Sequence, residues 1–319
     1  MSIDVVTITD PVTGSAASIA PALGFNCFSF AATLDGQPVE LLWHDPEFRS
    51  GTTRPSRSGI PILFPFAGRI RGGQYRYRGR EYQLECNDNR GNAIHGFVYT
   101  RPWRVISQTH SSVTGEFQAS IDDPTILKLW PADFRIRATC SVQGAQLLSR
   151  YEVANTGDGP LPWWFGTHPY FRLSIGGGRP EDAVIRFAVG DQWELAELLP
   201  TGQRVAVPDA AELAAGSRVG SREFDNVFGR LNISQRPWEG SVTDAVAGLT
   251  TVTRFAEPFR ECVVFIPPHR EAICLEPYSA APNAFELAER GIDCGLSELA
   301  PGESHELSVE ITAGTPQNL

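Results

Sequence analysis

Strict alternation of apolar and polar side chains is the feature that most limits how this chain folds. Phe134, Ile136, Ala138, Cys140 and Val142 alternate with Arg135, Arg137, Thr139, Ser141 and Gln143. Leu307, Val309 and Ile311 alternate in the same way with Glu306, Ser308, Glu310 and Thr312. A period of two puts successive side chains on opposite faces, so these runs read as strands with one buried and one wet face. Phe117-Gln-Ala-Ser-Ile121 obeys the rule over a shorter stretch. The segment Glu261-Cys-Val-Val-Phe-Ile266 is continuously apolar after its first residue and lies between Pro258 and Pro267-Pro268, which predicts a strand covered on both faces. Turn chemistry separates such runs at Gly72-Gly73, Asn155-Thr-Gly157-Asp-Gly159, Gly176-Gly-Gly178 and Pro301-Gly302. Helical signal is limited to a turn or two at 209–215 and at 283–290. Many short strands with tight turns predict an all-β sandwich or barrel. Strand-like sequence continues on both sides of the Gly-rich stretch 174–180, so one domain over residues 1–319 is expected.

The formal charge of −10 argues against nucleic acid as a partner, since phosphate backbones are bound by clustered Lys and Arg. Arg76, Arg78 and Arg80 are interleaved with Tyr75, Tyr77 and Tyr82, the pattern of an exposed strand face. No apolar run is long enough to cross a membrane as a helix, and the first ten residues lack the basic and apolar regions of a secretory signal. The six cysteines (27, 86, 140, 262, 274 and 294) are scattered without a C-x-x-C pair. They read as small buried hydrophobes in a reduced, cytoplasmic protein, with neither a zinc site nor a redox motif.

Four segments depart from plain strand-and-turn sequence: Gly59-Ile-Pro-Ile-Leu-Phe-Pro-Phe-Ala-Gly-Arg69-Ile, Asn92-Ala-Ile-His95-Gly-Phe97, Trp163-Trp164-Phe-Gly-Thr-His168-Pro-Tyr170-Phe171 and Ile273-Cys-Leu-Glu276-Pro-Tyr278-Ser. Taken singly, His95 reads as a satisfied core histidine, and Trp163 and Trp164 as packing aromatics. Glu276 is different, because a carboxylate at the end of an apolar strand needs either solvent or a task. His168 stands between Thr167 and Pro169, and the residue before a proline is held extended, which orients its side chain.

Together these segments resemble the aldose 1-epimerase family from roughly Gly59 to Ser308. The resemblance rests on ordered motifs: Pro-x-x-Phe-Pro…Gly-Arg-Ile at 61–70, Gly-x-x-Tyr at 79–82, His-Gly at 95–96, Thr-His-Pro-Tyr-Phe at 167–171, Asp225 in Phe-Asp-Asn-Val-Phe, and Glu276 in Leu-Glu-Pro. It implies a large antiparallel β-supersandwich with an open sugar site and a small-molecule sugar as partner, with no cofactor or metal. It further implies Glu276 as general base, His168 as general acid, and His95, Arg69 and Asp225 as substrate-binding groups. Phe97, Trp164 and Tyr170 join them as substrate-binding aromatics, with Trp163 and Phe64 as further candidates for the apolar platform under a sugar ring. Asp225 is expected to raise the protonated fraction of His168. A monomer or homodimer is expected. The sequence departs from the galactose-specific branch at Thr167 and at Arg172-Leu173, and runs directly from His95-Gly96 into Phe97-Val-Tyr-Thr-Arg-Pro-Trp103, so galactose is not implied as the sugar.

Three rivals use other chemistry. A sugar-binding module has no need of both His168 and Glu276. A glycoside hydrolase pairing Asp225 with Glu276 leaves His168 idle. A metal-dependent cupin calls for closely spaced histidines, which are missing here. Within the family, an enzyme of hexose 6-phosphates needs extra cations. Arg54, Arg57, Arg71 and Arg172 are the candidates, Arg54 and Arg57 reading as surface groups and Arg172 as the one placed to act.

Overall fold

The structure, a computed structural model, describes residues 3–233 and 236–316. Met1 and Ser2, the start of the stretch read for a signal, lie outside the described residues. Two large antiparallel sheets dominate. The nine-stranded sheet runs in the order Arg104–Gln108, Ser112–Gln118, Phe134–Gln143, Gln146–Asn155, Ser304–Gly314, Leu249–Phe255, Trp238–Asp244, Val184–Phe187 and Ser217–Arg218. The eight-stranded sheet runs Leu199–Val205, Asp191–Ala196, Asp225–Gly229, Glu261–Phe265, Ala272–Tyr278, Gly166–Thr167 and Ile62–Leu63, with Tyr170–Arg172 also paired to Ala272–Tyr278. A four-stranded sheet is built from the segment between Val6 and Glu40. This is the all-β class that the alternation predicts and the antiparallel supersandwich that the family resemblance implies.

The alternating runs behave as their period dictates. Phe134–Gln143 buries every second side chain, and Leu307, Val309 and Ile311 face inward from Ser304–Gly314. Ile136, Tyr151 and Val309 of the larger sheet share one apolar cluster with Val227, Val264 and Leu275 of the smaller. The continuously apolar run forms the strand Glu261–Phe265, whose first four residues are all buried. Helices at Ala210–Ala215 and Ala284–Glu289 match the two weak helical signals. The short run ending at Ile121 is a correction. Its strand stops at Gln118 and a helical turn, Ala119–Asp122, leaves Ile121 59% exposed. Two carboxylates bend the chain there: Asp122 accepts from the Gln118 N–H, and Asp133 accepts from the N–H and hydroxyl of Ser120. Such local side-chain-to-backbone bonds compete with the sheet ladder.

The strand Ala272–Tyr278 is buried along its whole length. It lies between Glu261–Phe265 on one side and Gly166–Thr167 with Tyr170–Arg172 on the other, in register Val263 with Glu276, Tyr170 with Cys274 and Gly166 with Tyr278. That register brings the third and fourth unusual segments together. The first and second meet where Phe64 bridges to Gly96 and Arg69 pairs with Ile94. Gly96 has φ +68°, and a Cβ there would lie 2.2 Å from the carbonyl oxygen of Phe64. Both the left-handed backbone and the close approach require glycine. Gly96→Ala is expected to cost at least about 2 kcal/mol of unfolding free energy in urea titration; an unchanged midpoint would contradict this packing.

Candidate active site

Glu276 is only 1% exposed, and Tyr278, two residues on, donates its hydroxyl to Glu276 Oε2 at 2.9 Å. His168 is fixed by its backbone N–H, which donates to the Pro61 carbonyl at 3.1 Å, and by its ring, stacked parallel on Tyr170 at 4.7 Å. This leaves His168 Nε2 at 3.4 Å from Glu276 Oε1. His95 stands edge-on to His168 at 5.6 Å between ring centres, presented by a left-handed backbone (φ +71°) whose N–H donates to the Gly68 carbonyl. Arg69 projects from the short strand Arg69–Ile70, its Nε donating to Asp88 Oδ2 at 2.9 Å. The Asp88 carboxylate in turn accepts from the N–H groups of Arg90 and Asn92, which holds it below the usual carboxylate range against the opposing effect of burial.

These groups meet at the floor of an open cleft of about 650 Å³. Its walls include Trp43, Asp45, Arg54, Arg57, Arg69, His95, His168, Tyr170, Phe265 and His269. A smaller recess of about 100 Å³ shares Arg69, His95, His168 and Phe265 with the cleft and is closed by Asp225, Glu276 and Tyr278. His95, Arg69, Asp225, Tyr170, His168 and Glu276 are thus brought to one place.

Four aromatic candidates are not. Trp164 is fully buried in the apolar core with its Nε1–H donating to the Ala67 carbonyl, and Phe64 and Trp163 are likewise core residues. Phe97 packs edge-on to Phe66 and Trp130 and faces a separate depression with Leu84, Tyr99 and Arg101. Large rings in a β-core are packing material unless a loop lifts them out. The aromatic wall of the cleft is made instead by Trp43, Tyr170 and Phe265. Trp43 is held by its Nε1–H donating to Glu271 and stacks on His269 at 4.0 Å. Trp43 and His269 carry no motif of their own and sit just after the isolated bridge at Leu42 and in the loop after Pro267-Pro268, so only the folded arrangement reveals them. The arginines also redistribute. Arg172 donates to the Leu42 carbonyl and Arg71 pairs with Glu286, while Arg54 and Arg57 line the cleft.

Burial sets the protonation chemistry. It pushes the Glu276 carboxyl well above the ordinary value, opposed chiefly by the Tyr278 hydroxyl. It also pulls His168 down to about 3, with the nearby Arg69 charge acting in the same direction. The expectation that Asp225 raises the protonated fraction of His168 is therefore corrected: Asp225 is not among the groups that act on this imidazole, and burial lowers that fraction. Each charged form is costly alone. An imidazolium and a carboxylate 3.4 Å apart in a poorly solvated recess stabilise one another, which offsets part of that cost. Such an arrangement delivers a proton at one atom while accepting one at another, without a change in its total charge.

The antiparallel supersandwich is the fold of solved galactose mutarotase-like structures. Residues 9–312 match the sequence profile of the family described as Aldose 1-epimerase, and the chain belongs to that family. The uncharacterized protein YphB of Escherichia coli K12 is 24% identical over 294 residues, which cover 86% of this chain and 93% of YphB. Among solved structures, a galactose mutarotase-like protein from Clostridium acetobutylicum superposes with a TM-score of 0.84 at 19% identity, covering 98% of this chain and 99% of that one. A galactose 1-epimerase from Lactobacillus acidophilus superposes with a TM-score of 0.72 at 17% identity, covering 98% and 99%.

Tyr278 donates to the carboxylate form of Glu276, so its removal should let the proton stay on Glu276 to higher pH. In Tyr278→Phe the protonated-carboxyl stretch of Glu276, identified by infrared difference against Glu276→Gln, is expected to persist to higher pH than in the wild type. An unshifted titration would contradict the role given to this hydroxyl.

Proposed function

We propose that the protein interconverts the α and β anomers of an aldose by acid–base opening and reclosure of the sugar ring. The observation that carries this reading is the His168–Glu276 pair, 3.4 Å apart and buried at the foot of a cleft, in a chain of the aldose 1-epimerase family. In the competent form Glu276 is a carboxylate and His168 an imidazolium. Glu276 takes the proton from the O1 hydroxyl while His168 gives one to the ring oxygen, and the C1–O5 bond breaks to leave the open-chain aldehyde. Rotation about C1–C2 presents the other carbonyl face. The two transfers then run backwards and the opposite anomer closes. The sugar hydroxyls supply the hydrogen bonds that favour the charged pair over the neutral one on binding.

The remaining groups have tasks that fit their surroundings. Arg69, held in place by Asp88, and His95 and Asp225 are placed to bond hydroxyls, and Tyr170 and Trp43 offer an apolar face to the ring's C–H groups. The pair also separates this reading from its rivals. A binding module has no use for an imidazole against a buried carboxylate, and a hydrolase that pairs Asp225 with Glu276 leaves His168 idle although it is at 3.4 Å. The buried, unpaired cysteines at 27, 140, 262, 274 and 294 accord with a reducing, cytoplasmic setting.

A positioned acid or base contributes roughly 10²–10⁴-fold, so Glu276→Gln and His168→Asn are each expected to lower the catalysed exchange of anomers at least about 100-fold. Saturation-transfer NMR or polarimetry on a panel of aldoses reads this out. Exchange at the wild-type rate in Glu276→Gln would remove the base from the mechanism.

One observation favours a second reading, in which the aldose is phosphorylated. Arg54 is anchored by neutral acceptors, the Asn87 carbonyl and the Tyr99 hydroxyl, at 2.9 and 3.0 Å, so its charge is not cancelled by a carboxylate. Arg57, on the same wall, has no ion-pair partner among the described residues. A guanidinium bound to phosphate makes charge-assisted, often bidentate bonds. Under this reading Arg57→Ala lowers the ratio of kcat/KM for glucose 6-phosphate to that for glucose by at least about tenfold. An unchanged ratio would assign the cleft to neutral sugars.

A further inference from the structure

Cys274 is an ionisable group beside the acid–base pair that the proton transfer does not use. It lies two residues before Glu276 on the strand Ala272–Tyr278, so both side chains leave the same face. Its register partner on the neighbouring strand is Tyr170, the residue on which the His168 ring stacks. The pleat and the stack together converge three donors of different kinds: an imidazole nitrogen of His168, Cys274 Sγ and a carboxylate oxygen of Glu276 all lie within 4.8 Å of one another, and all three residues are buried.

We propose that His168, Cys274 and Glu276 form a binding site for a thiophilic divalent cation of the zinc or cadmium type, and that the bound ion silences the acid–base pair. Nitrogen, sulfur and carboxylate oxygen are the three protein ligands such ions prefer, and three ligands with a fourth position open to water is a common tetrahedral arrangement. Tetrahedral zinc with ordinary bond lengths requires its donors to be roughly 3.3–3.7 Å apart. The imidazole and carboxylate already stand at 3.4 Å. Sγ needs a shift of no more than about 1 Å, within the reach of a side-chain rotation. His168 lines both the cleft and the inner recess, which gives the ion its way in and its fourth position.

The charge and proton balance closes without an oxidant or reductant. Metal–nitrogen, metal–sulfur and metal–oxygen bonds form, the thiol S–H bond breaks, and its proton leaves to water together with any proton held by the imidazole–carboxylate pair. Thiolate and carboxylate then cancel the dication, which offsets the cost of placing it in a buried site. Both proton-transfer atoms are occupied, so the ion and a reacting sugar exclude each other. The silencing rests on the acid–base function proposed above, whereas the binding does not.

The test is a titration of the metal-stripped protein with cadmium chloride, followed both by the ultraviolet thiolate-to-cadmium charge-transfer band and by anomer exchange. Cys86 is an exposed thiol, so the work is done in a Cys86→Ser background. One cadmium ion per chain is expected, with exchange lost in step with the growth of the band. Cys274→Ser should abolish the band, and His168→Asn, which keeps the thiol, should weaken cadmium binding at least about tenfold. Far-ultraviolet circular dichroism checks that each variant is folded, and Cys274→Ala serves where Cys274→Ser is not. A band that survives in the Cys274 variants, or no stoichiometric band in the parent, overturns the site. A band without loss of exchange overturns the silencing alone. Absence of exchange in the metal-stripped parent would instead overturn the epimerase reading and leave the binding result to stand by itself.

Discussion

A carboxylate placed in a strand that is buried along its whole length has few stable ways to exist. It can be neutralised by a proton, or it can be paired and hydrogen-bonded. Glu276 is offered both. Tyr278 donates to one carboxylate oxygen and His168 stands against the other, while the sheet on either side removes water. The rest of the site follows from this constraint. Both groups face the recess beside the strand, and His168 also lines the open cleft, so a bound molecule can reach them.

The fold holds that pair rigid. Ala272–Tyr278 is an interior strand of the eight-stranded sheet, so its position is set by ladders on both sides rather than by a loop. His168 is borne by the short link between two strands that both pair with Ala272–Tyr278, and its ring is pinned by Tyr170 from the second of them. Arg69 and His95 reach the same floor from a different pairing, with glycines at 68 and 96 in left-handed backbone setting where each side chain emerges. Glu276 thus stands within a sheet strand, whereas His168 and His95 stand on short segments between strands.

Much of this is legible in the residues themselves. Period-two alternation marks the strands that face the core, because one side of each is wet, and the unbroken apolar run marks the one that is covered twice. His168, Glu276, His95, Arg69 and Asp225 stand in motifs, so the resemblance to a family points at them before any geometry is known. What fails has a physical cause in each case. Ile121 fits an alternation but sits where Asp122 and Asp133 offer the backbone other partners. Trp164 and Phe97 lie near His168 and His95 in the chain, yet neither stands on a strand and each turns into packing: Trp164 donates to the Ala67 carbonyl in the core, and Phe97 packs edge-on to Phe66 and Trp130. Trp43 and His269 reach the site from segments far apart in sequence, without any local pattern to announce them, and Arg54 and Arg57, which read as surface groups, line the same cleft. The protonation state of His168 is also invisible from sequence, since it depends on how much water the finished fold excludes.

The central claim is that the ring opens at C1–O5 while O1 stays on the sugar, through proton transfers at Glu276 and His168. Anomer exchange of a C1-hydroxyl ¹⁸O-labelled aldose, followed by NMR with isotope analysis of the sugar, tests it directly. The result predicted is many enzyme-driven exchanges of α and β anomers with the label retained on C1. Loss of the label to water at each turnover, or no exchange of anomers in any aldose, would contradict it.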